Sequence, residues 1–411
     1  MLQQLISVAF APGHHRQSLL KINMKSLTIS FLVMVMLSSN IAVAQKKQID
    51  SIQWTIAAEL PPVSGQEKAL GLAGPVSGVH QGVLMVAGGA NFPDSMPWLG
   101  GKKKYYDELY IFRKESNSIR LHPKKFKLPF PIAYAAVCST PQGIVYAGGE
   151  NDNGISNQVV LLQWDSINED VIIKNLPGLP IGVTNAAATI NRNRLFIAGG
   201  ETARAVVDQF CSLDLNNTNL GWQQLCAVPK PVSHTVLAVQ SNGNNKSLYL
   251  LGGRKKNANG ISDLYASVYE FDLNKNNWKE KRSLPHALSA GTGIATNDGN
   301  IWMLGGDKGV IFHKAEILIA KISTEKDEAK KQALINEKNK LQATHPGFSK
   351  EVLLYNTKAD KWVKAGNIPF DAPVTTTASM WGAEVIIAGG EIRAGVRTPQ
   401  IMLGRFPPKG E

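Results

Sequence analysis

The chain has 411 residues, a formal net charge of +12, 37 glycines, 21 prolines and three cysteines, in an otherwise ordinary globular composition. That length exceeds what one compact core holds, which leaves several domains or a repeat architecture whose units pack only on their neighbours. The basic residues are dispersed apart from Lys102–Lys104 and Lys255–Lys256, read as solvated loops, so the positive excess suits an anionic small molecule and calls for no nucleic acid.

Residues 1–44 read as an export leader. Met24-Lys25 opens it with a positive charge, Leu27 to Leu37 is mostly apolar, and Ala42-Val43-Ala44 is a small-residue cleavage site before Gln45. The apolar run is short for a bilayer span, so no stable membrane insertion is expected. The expected location is periplasmic or secreted after cleavage near Ala44, with the signal itself in 24–44. Residues 1–23 are either translated or the mark of a start codon placed too early.

Residues 45–411 carry one pattern six times: an apolar strand ending in Gly-Gly, a variable loop, then more β-rich sequence. The copies are LMVAGGAN (Gly88, Gly89), IVYAGGEN (Gly148, Gly149), LFIAGGET (Gly199, Gly200), LYLLGGRK (Gly252, Gly253), IWMLGGDK (Gly305, Gly306) and VIIAGGEI (Gly389, Gly390). Their spacings are 60, 51, 53, 53 and 84 residues. A period near 50 is that of kelch repeats, so the expected fold is an all-β, six-bladed kelch-type β-propeller with an insertion in blade 5. Trp222, Trp278 and Trp362 follow turn sequences and are expected to fill the gaps between blades. The last unit ends after its third strand near Phe406. The missing strand is IDSIQWTIAAELP, with Trp54, so the N-terminal strand closes the ring and removes an open sheet edge.

There is no C-x-x-C motif and no His pair at ligand spacing, which argues against structural zinc. Cys211 and Cys226 flank a hairpin turn at Asn216–Asn219. They either face each other, able to oxidise outside the cytoplasm, or are two small buried hydrophobes. The insertion, about 310–350, contains STEKDEAKKQALINEKNKLQ, rich in helix formers, with Ser323 as a candidate cap. It leaves blade 5 between strands two and three and is either a wall over a pocket or a solvated outgrowth.

In a four-stranded blade the 2–3 loops and the links between blades open on one face. The residues following the Gly-Gly pairs, taken as Asn91, Glu150, Glu201, Arg254, Asp307 and Glu391, are expected around one mouth. The links add Tyr134, Asn185, His234, Thr292 and Thr375. Such a set can bind a polyhydroxy ligand and move protons.

The sixth unit, GGEIRAGVRT, resembles the active-site loop of the bacterial N-acetylneuraminate mutarotases, G-E-x-x-x-G-x-R-T, at Gly390, Glu391, Gly395, Arg397 and Thr398. AGGANFP and the insertion before the Glu/Arg unit extend the likeness over roughly 50–406, with a blade order that resembles a cyclically permuted branch. The resemblance implies interconversion of the α and β anomers of free sialic acid by ring opening and closure. It implies Glu391 as the acid/base group, and Arg397 either as the carboxylate clamp or as a charge that lowers the pKa of a nearby acid. Arg254 is then a second clamp, and Asn91, Glu150, Glu201 and Asn185 line the substrate site. The ligand is a small acidic sugar; no metal or other cofactor and no oligomer is implied. A sialidase would need repeated Asp-box turns, which the sequence does not repeat. The alternative of another class is a non-catalytic secreted kelch module that binds glycan or protein.

Overall fold

A computed structural model of the chain describes residues 51–115 and 118–407. The leader read at 1–44 lies outside the described residues. Six antiparallel sheets, five of four strands and one of five (blade 1, where Phe126–Lys127 also pairs with the third strand), are arranged radially, and their innermost strands lie side by side in a closed circle. These inner strands are Val76–His80, Ala136–Thr140, Ala187–Asn191, Val236–Ser241, Thr292–Ala295 and Ala378–Trp381, one for each of blades 1 to 6. The second strands are mostly apolar runs such as Val83–Ala87, buried on both faces as a strand sandwiched between two neighbouring sheets must be.

Six hydrophobic clusters fill the six blade interfaces, so the molecule has a ring of small cores instead of a single large one. The tryptophans after the turns sit at these interfaces as expected. The indole N–H of Trp222 donates to the carbonyl of Pro177, that of Trp278 to Cys226, and that of Trp362 to Arg282, in each case a residue just past the outer strand of the preceding blade. The ring closes as read from the sequence: Gln53–Glu59 pairs antiparallel with Gln400–Arg405 and completes blade 6.

The glycine pairs have a specific cause. In five blades the N–H of the second glycine donates to a link carbonyl of the next blade, as in Gly200 to Val232 at 2.8 Å and, across the closure, Gly390 to Leu72 at 2.7 Å. The first glycine lies against the same carbonyl: a Cβ on Gly199 would collide with the Val232 oxygen.

The links form a second, inner device. Gly74, Tyr134, Asn185, His234, Ala290 and Thr375 occupy one position in each blade, all with φ between 51° and 62°. Each N–H donates to the carbonyl of its counterpart in the preceding blade, at 2.7–3.0 Å, and Gly74 donates back to Thr375. Six left-handed residues thus make a closed belt of hydrogen bonds around the axis. Five are not glycine, and for β-branched Thr375 this conformation is strained; the surrounding sheets hold it. The sequence reading placed Thr292 in this set. The counterpart is Ala290, and the Thr292 hydroxyl instead accepts from the Ala378 N–H in the inner strands.

The insertion forms helices α1 (Val310–Thr324) and α2 (Glu328–Ala343). Ser323 does not cap the start: it lies in the last turn of α1, bonded to the Ala320 carbonyl, and the cap of α2 is Asp327, which accepts from the Lys330 N–H. The cysteines are free. Cys211 is buried and faces Gln224 across its hairpin, while Cys226 is exposed beyond it, so only one of the two is a buried hydrophobe.

Candidate active site

Each 2–3 loop begins with one bridge pair to its own link, and this fixes which side chains ring the mouth. The paired residues are Ala90, Glu150, Glu201, Arg254, Asp307 and Glu391. Asn91 is therefore not the blade 1 member. It is 1% exposed, donates to the Gly71 carbonyl and accepts from the Tyr106 hydroxyl, so its amide supports the loop and is not offered to a ligand. Ala90 leaves the mouth bare at blade 1, and side chains from the loop itself fill it.

Those side chains were missed in the sequence. Lys103, read as part of a solvated run, points into the mouth: its ammonium donates to Glu150 Oε1 at 2.9 Å and lies 4.8 Å from the Tyr134 ring. The Tyr105 hydroxyl donates to the same oxygen at 2.8 Å. Burial works against the Lys103 charge, yet Tyr134 and Glu150 hold its proton more firmly than usual. Gly74 is bare because Tyr134 lies against it; a Cβ there would stand 2.5 Å from the ring.

Blades 3 and 4 contribute a linked cluster. Ser233 Oγ donates to Glu201 Oε1 at 2.6 Å, Arg254 Nη2 donates to His234 Nε2 at 2.8 Å, and the Arg254 guanidinium lies 4.5 Å over Phe312 of α1. Burial and then the Arg254 charge lower the His234 pKa, and the Glu201 carboxylate beside it acts in the opposite direction. Burial alone would push the Glu201 carboxyl up; contact with His234, the Ser233 hydroxyl and the Arg254 charge outweigh it and hold it at about 2. Asn185 lines the axis through its place in the belt.

Blade 6 supplies the pair singled out in the sequence. Glu391–Arg393 and Val396–Arg397 form a two-stranded hairpin in which Glu391 stands opposite Arg397. Six residues of separation thus become side-by-side placement, with Glu391 Oε2 3.3 Å from Arg397 Nη2. Glu391 Oε1 accepts from the Gly395 N–H at the turn. Arg397 is only 8% exposed, stacks 4.6 Å from the Phe92 ring, and keeps Nε and Nη1 without partners. Nε and Nη1 have no acceptor in the protein, so this buried guanidinium keeps hydrogen-bonding capacity that the fold itself does not use.

The belt divides the axis. Below it, a cavity of about 120 Å³ is lined by belt residues and inner strands. That is well under the roughly 300 Å³ of the smallest ordinary ligand pockets, so a ligand of ordinary size would have to sit above the belt, in the mouth. There, Tyr134, Asn185 and His234 are large while Ala290 and Thr375 are small. The belt thus presents small side chains at blades 5 and 6, the blades that carry Asp307, Glu391 and Arg397.

The insertion overhangs the mouth. The Glu316 carboxylate of α1 is buried and accepts from the Ser262 N–H at 2.9 Å and its hydroxyl at 2.7 Å, tying α1 to the blade 4 loop. α2 reaches the short 3-10 turn Pro97–Leu99 of the blade 1 loop, which in turn packs on Gly395.

The family model for N-acetylneuraminate epimerase matches residues 176–410, more than half of the chain. The chain belongs to the N-acetylneuraminate epimerase family. Among curated relatives, the N-acetylneuraminate epimerase of Haemophilus influenzae (strain PittEE) is 26% identical over 235 residues, covering 57% of this chain and 60% of the relative. That of Salmonella typhimurium is 28% identical over 228 residues, 55% of this chain and 57% of the relative. The chain thus spans about three-fifths of the length of the curated relatives it matches. The segment shared with the family holds Asn185, Glu201, Arg254, the insertion, Glu391 and Arg397; Asn91, Lys103 and Glu150 lie before it. Among the described residues no helix is long and apolar enough to cross a membrane.

Proposed function

We propose that the chain is a mutarotase that interconverts the α and β anomers of free N-acetylneuraminic acid. The observation that carries this is Arg397, buried beside Glu391 with two N–H groups unpaired, which makes a carboxylate clamp next to a proton-transfer group. In this reading the sugar carboxylate lies against Arg397, which presents its anomeric hydroxyl to Glu391. Glu391 takes the hydroxyl proton as the bond between the anomeric carbon and the ring oxygen breaks. The electron pair passes to the ring oxygen, which receives that proton back from Glu391. The open keto form turns its carbonyl and recloses by the reverse steps on the other face. General acid–base catalysis of this kind contributes roughly 10²- to 10⁴-fold, enough for a reaction that also proceeds unaided. The proton cycles between substrate and protein, so the scheme calls for no cofactor. Export to the periplasm or beyond, with the signal at 24–44 removed, belongs to the same proposal.

The test is NMR of freshly dissolved crystalline sialic acid, which starts as a single anomer. The chain should speed equilibration well beyond buffer, and Glu391→Gln should abolish most of that gain while leaving sugar binding in place. Binding without acceleration in the unaltered chain would instead support the non-catalytic glycan-binding module.

A further inference from the structure

The insertion does more than overhang the mouth: where it rejoins the propeller it delivers a histidine. His345 follows the last turn of α2, is 9% exposed, and packs against Phe348 with ring centroids 4.9 Å apart. The Gly347 N–H donates to its Nδ1 at 3.0 Å. The neutral ring therefore carries its proton on Nε2, and Nε2 has no hydrogen-bond partner among the described residues. Gly347 itself lies against the backbone of the blade 6 hairpin at Ile392. The charged groups facing the ring are Asp307 from the blade 5 loop and Glu391 and Arg393 from that hairpin.

We propose that His345 is a catalytic residue of the same site, a neutral imidazole whose Nε2–H donates a hydrogen bond to the sugar ring oxygen as negative charge builds there. This rests on the mutarotase reading and deepens it. Glu391 alone moves the proton; His345 transfers none and offers a fixed dipole at the oxygen that gains the electron pair. The bond from Gly347 disfavours a second proton on Nδ1. Burial lowers the pKa further, with Arg393 acting the same way and Asp307 and Glu391 opposing. The ring thus stays neutral at and above the ordinary histidine range. No repeat pattern marks this residue, because it comes from a loop with no counterpart in the other blades.

Two substitutions separate the role from a structural one. His345→Asn keeps an acceptor for the Gly347 N–H but falls short of the sugar. His345→Gln keeps an N–H near the Nε2 position but gives up the Gly347 bond. The expected result is a loss on the order of 10- to 100-fold in kcat/KM for H345N, carried by kcat, with circular dichroism and Tm like the unaltered chain, and a rate restored to within several-fold in H345Q. An H345N variant at full rate, or a folded H345Q as slow as H345N, overturns the proposal. So does a limb near neutral pH in the unaltered chain that H345Q removes, since that would mark a titrating acid. If the unaltered chain does not accelerate anomer exchange, the mutarotase reading fails by itself. Calorimetric titration with N-acetylneuraminate then decides His345 separately: weaker binding in H345N than in H345Q supports the contact, and equal affinities reject it.

Discussion

At the scale of single residues, the mouth is a set of charges whose state is fixed by immediate neighbours. Glu201 is the clearest. Its carboxyl is held at about 2 against an ordinary 4.5, so it contributes stability above the ordinary value that is lost as pH falls through the lower one. A shift of that size corresponds to about 3 kcal/mol. Denaturant unfolding between pH 6 and pH 2 should show this loss in the unaltered chain, and Glu201→Gln should flatten it while lowering stability at neutral pH. The sequence made Glu201, Arg254, Glu391 and Arg397 legible because each sits at a counted distance from a glycine pair. It misled where counting yielded to chemistry. The sequence reading has Asn91 at blade 1, whereas Ala90 directly follows the glycine pair and makes the bridge to the link. The sequence reading has Thr292 at the blade 5 link, whereas Ala290 adopts the left-handed conformation there with no side-chain signal to mark it. Lys103, Phe92 and Phe312 were invisible, since the reach of a loop follows no period.

At the scale of elements, the insertion has two unequal halves. α1 is fastened by the buried Glu316 carboxylate on Ser262 and by His313 on the Ser262 carbonyl. α2 buries none of its residues and touches the propeller at the Pro97–Leu99 turn. Replacing residues 325–343 with a short flexible linker should therefore leave the propeller folded, with little change in Tm. If α2 helps to confine the sugar, the same variant should raise KM several-fold with a smaller effect on kcat, read from the initial rate of anomer exchange at varied sugar concentration. Helix formers made the insertion readable as helical. Its division at Glu325–Asp327 was not, because the cap is set by one aspartate among many polar residues.

At the scale of the whole molecule, the six-part design was fully legible, down to the strand borrowed from the N-terminus, because each blade repeats the same apolar run and glycine pair. Trp54 belongs to that borrowed strand and is buried in the core between blades 5 and 6. Trp54→Ala should cost about 3–5 kcal/mol, measured by denaturant unfolding, and expose the Gln400–Arg405 edge to aggregation. The belt of left-handed residues has a different consequence. No blade can leave without parting two of its six links, and the carbonyls that would reseal them belong to neighbours far away in the chain. The amide hydrogens of Gly74, Tyr134, Asn185, His234, Ala290 and Thr375 should then trade with deuterium on one shared clock, the slowest in the protein, instead of six local ones. The hoop makes the blades share a single fate: they come apart together or not at all.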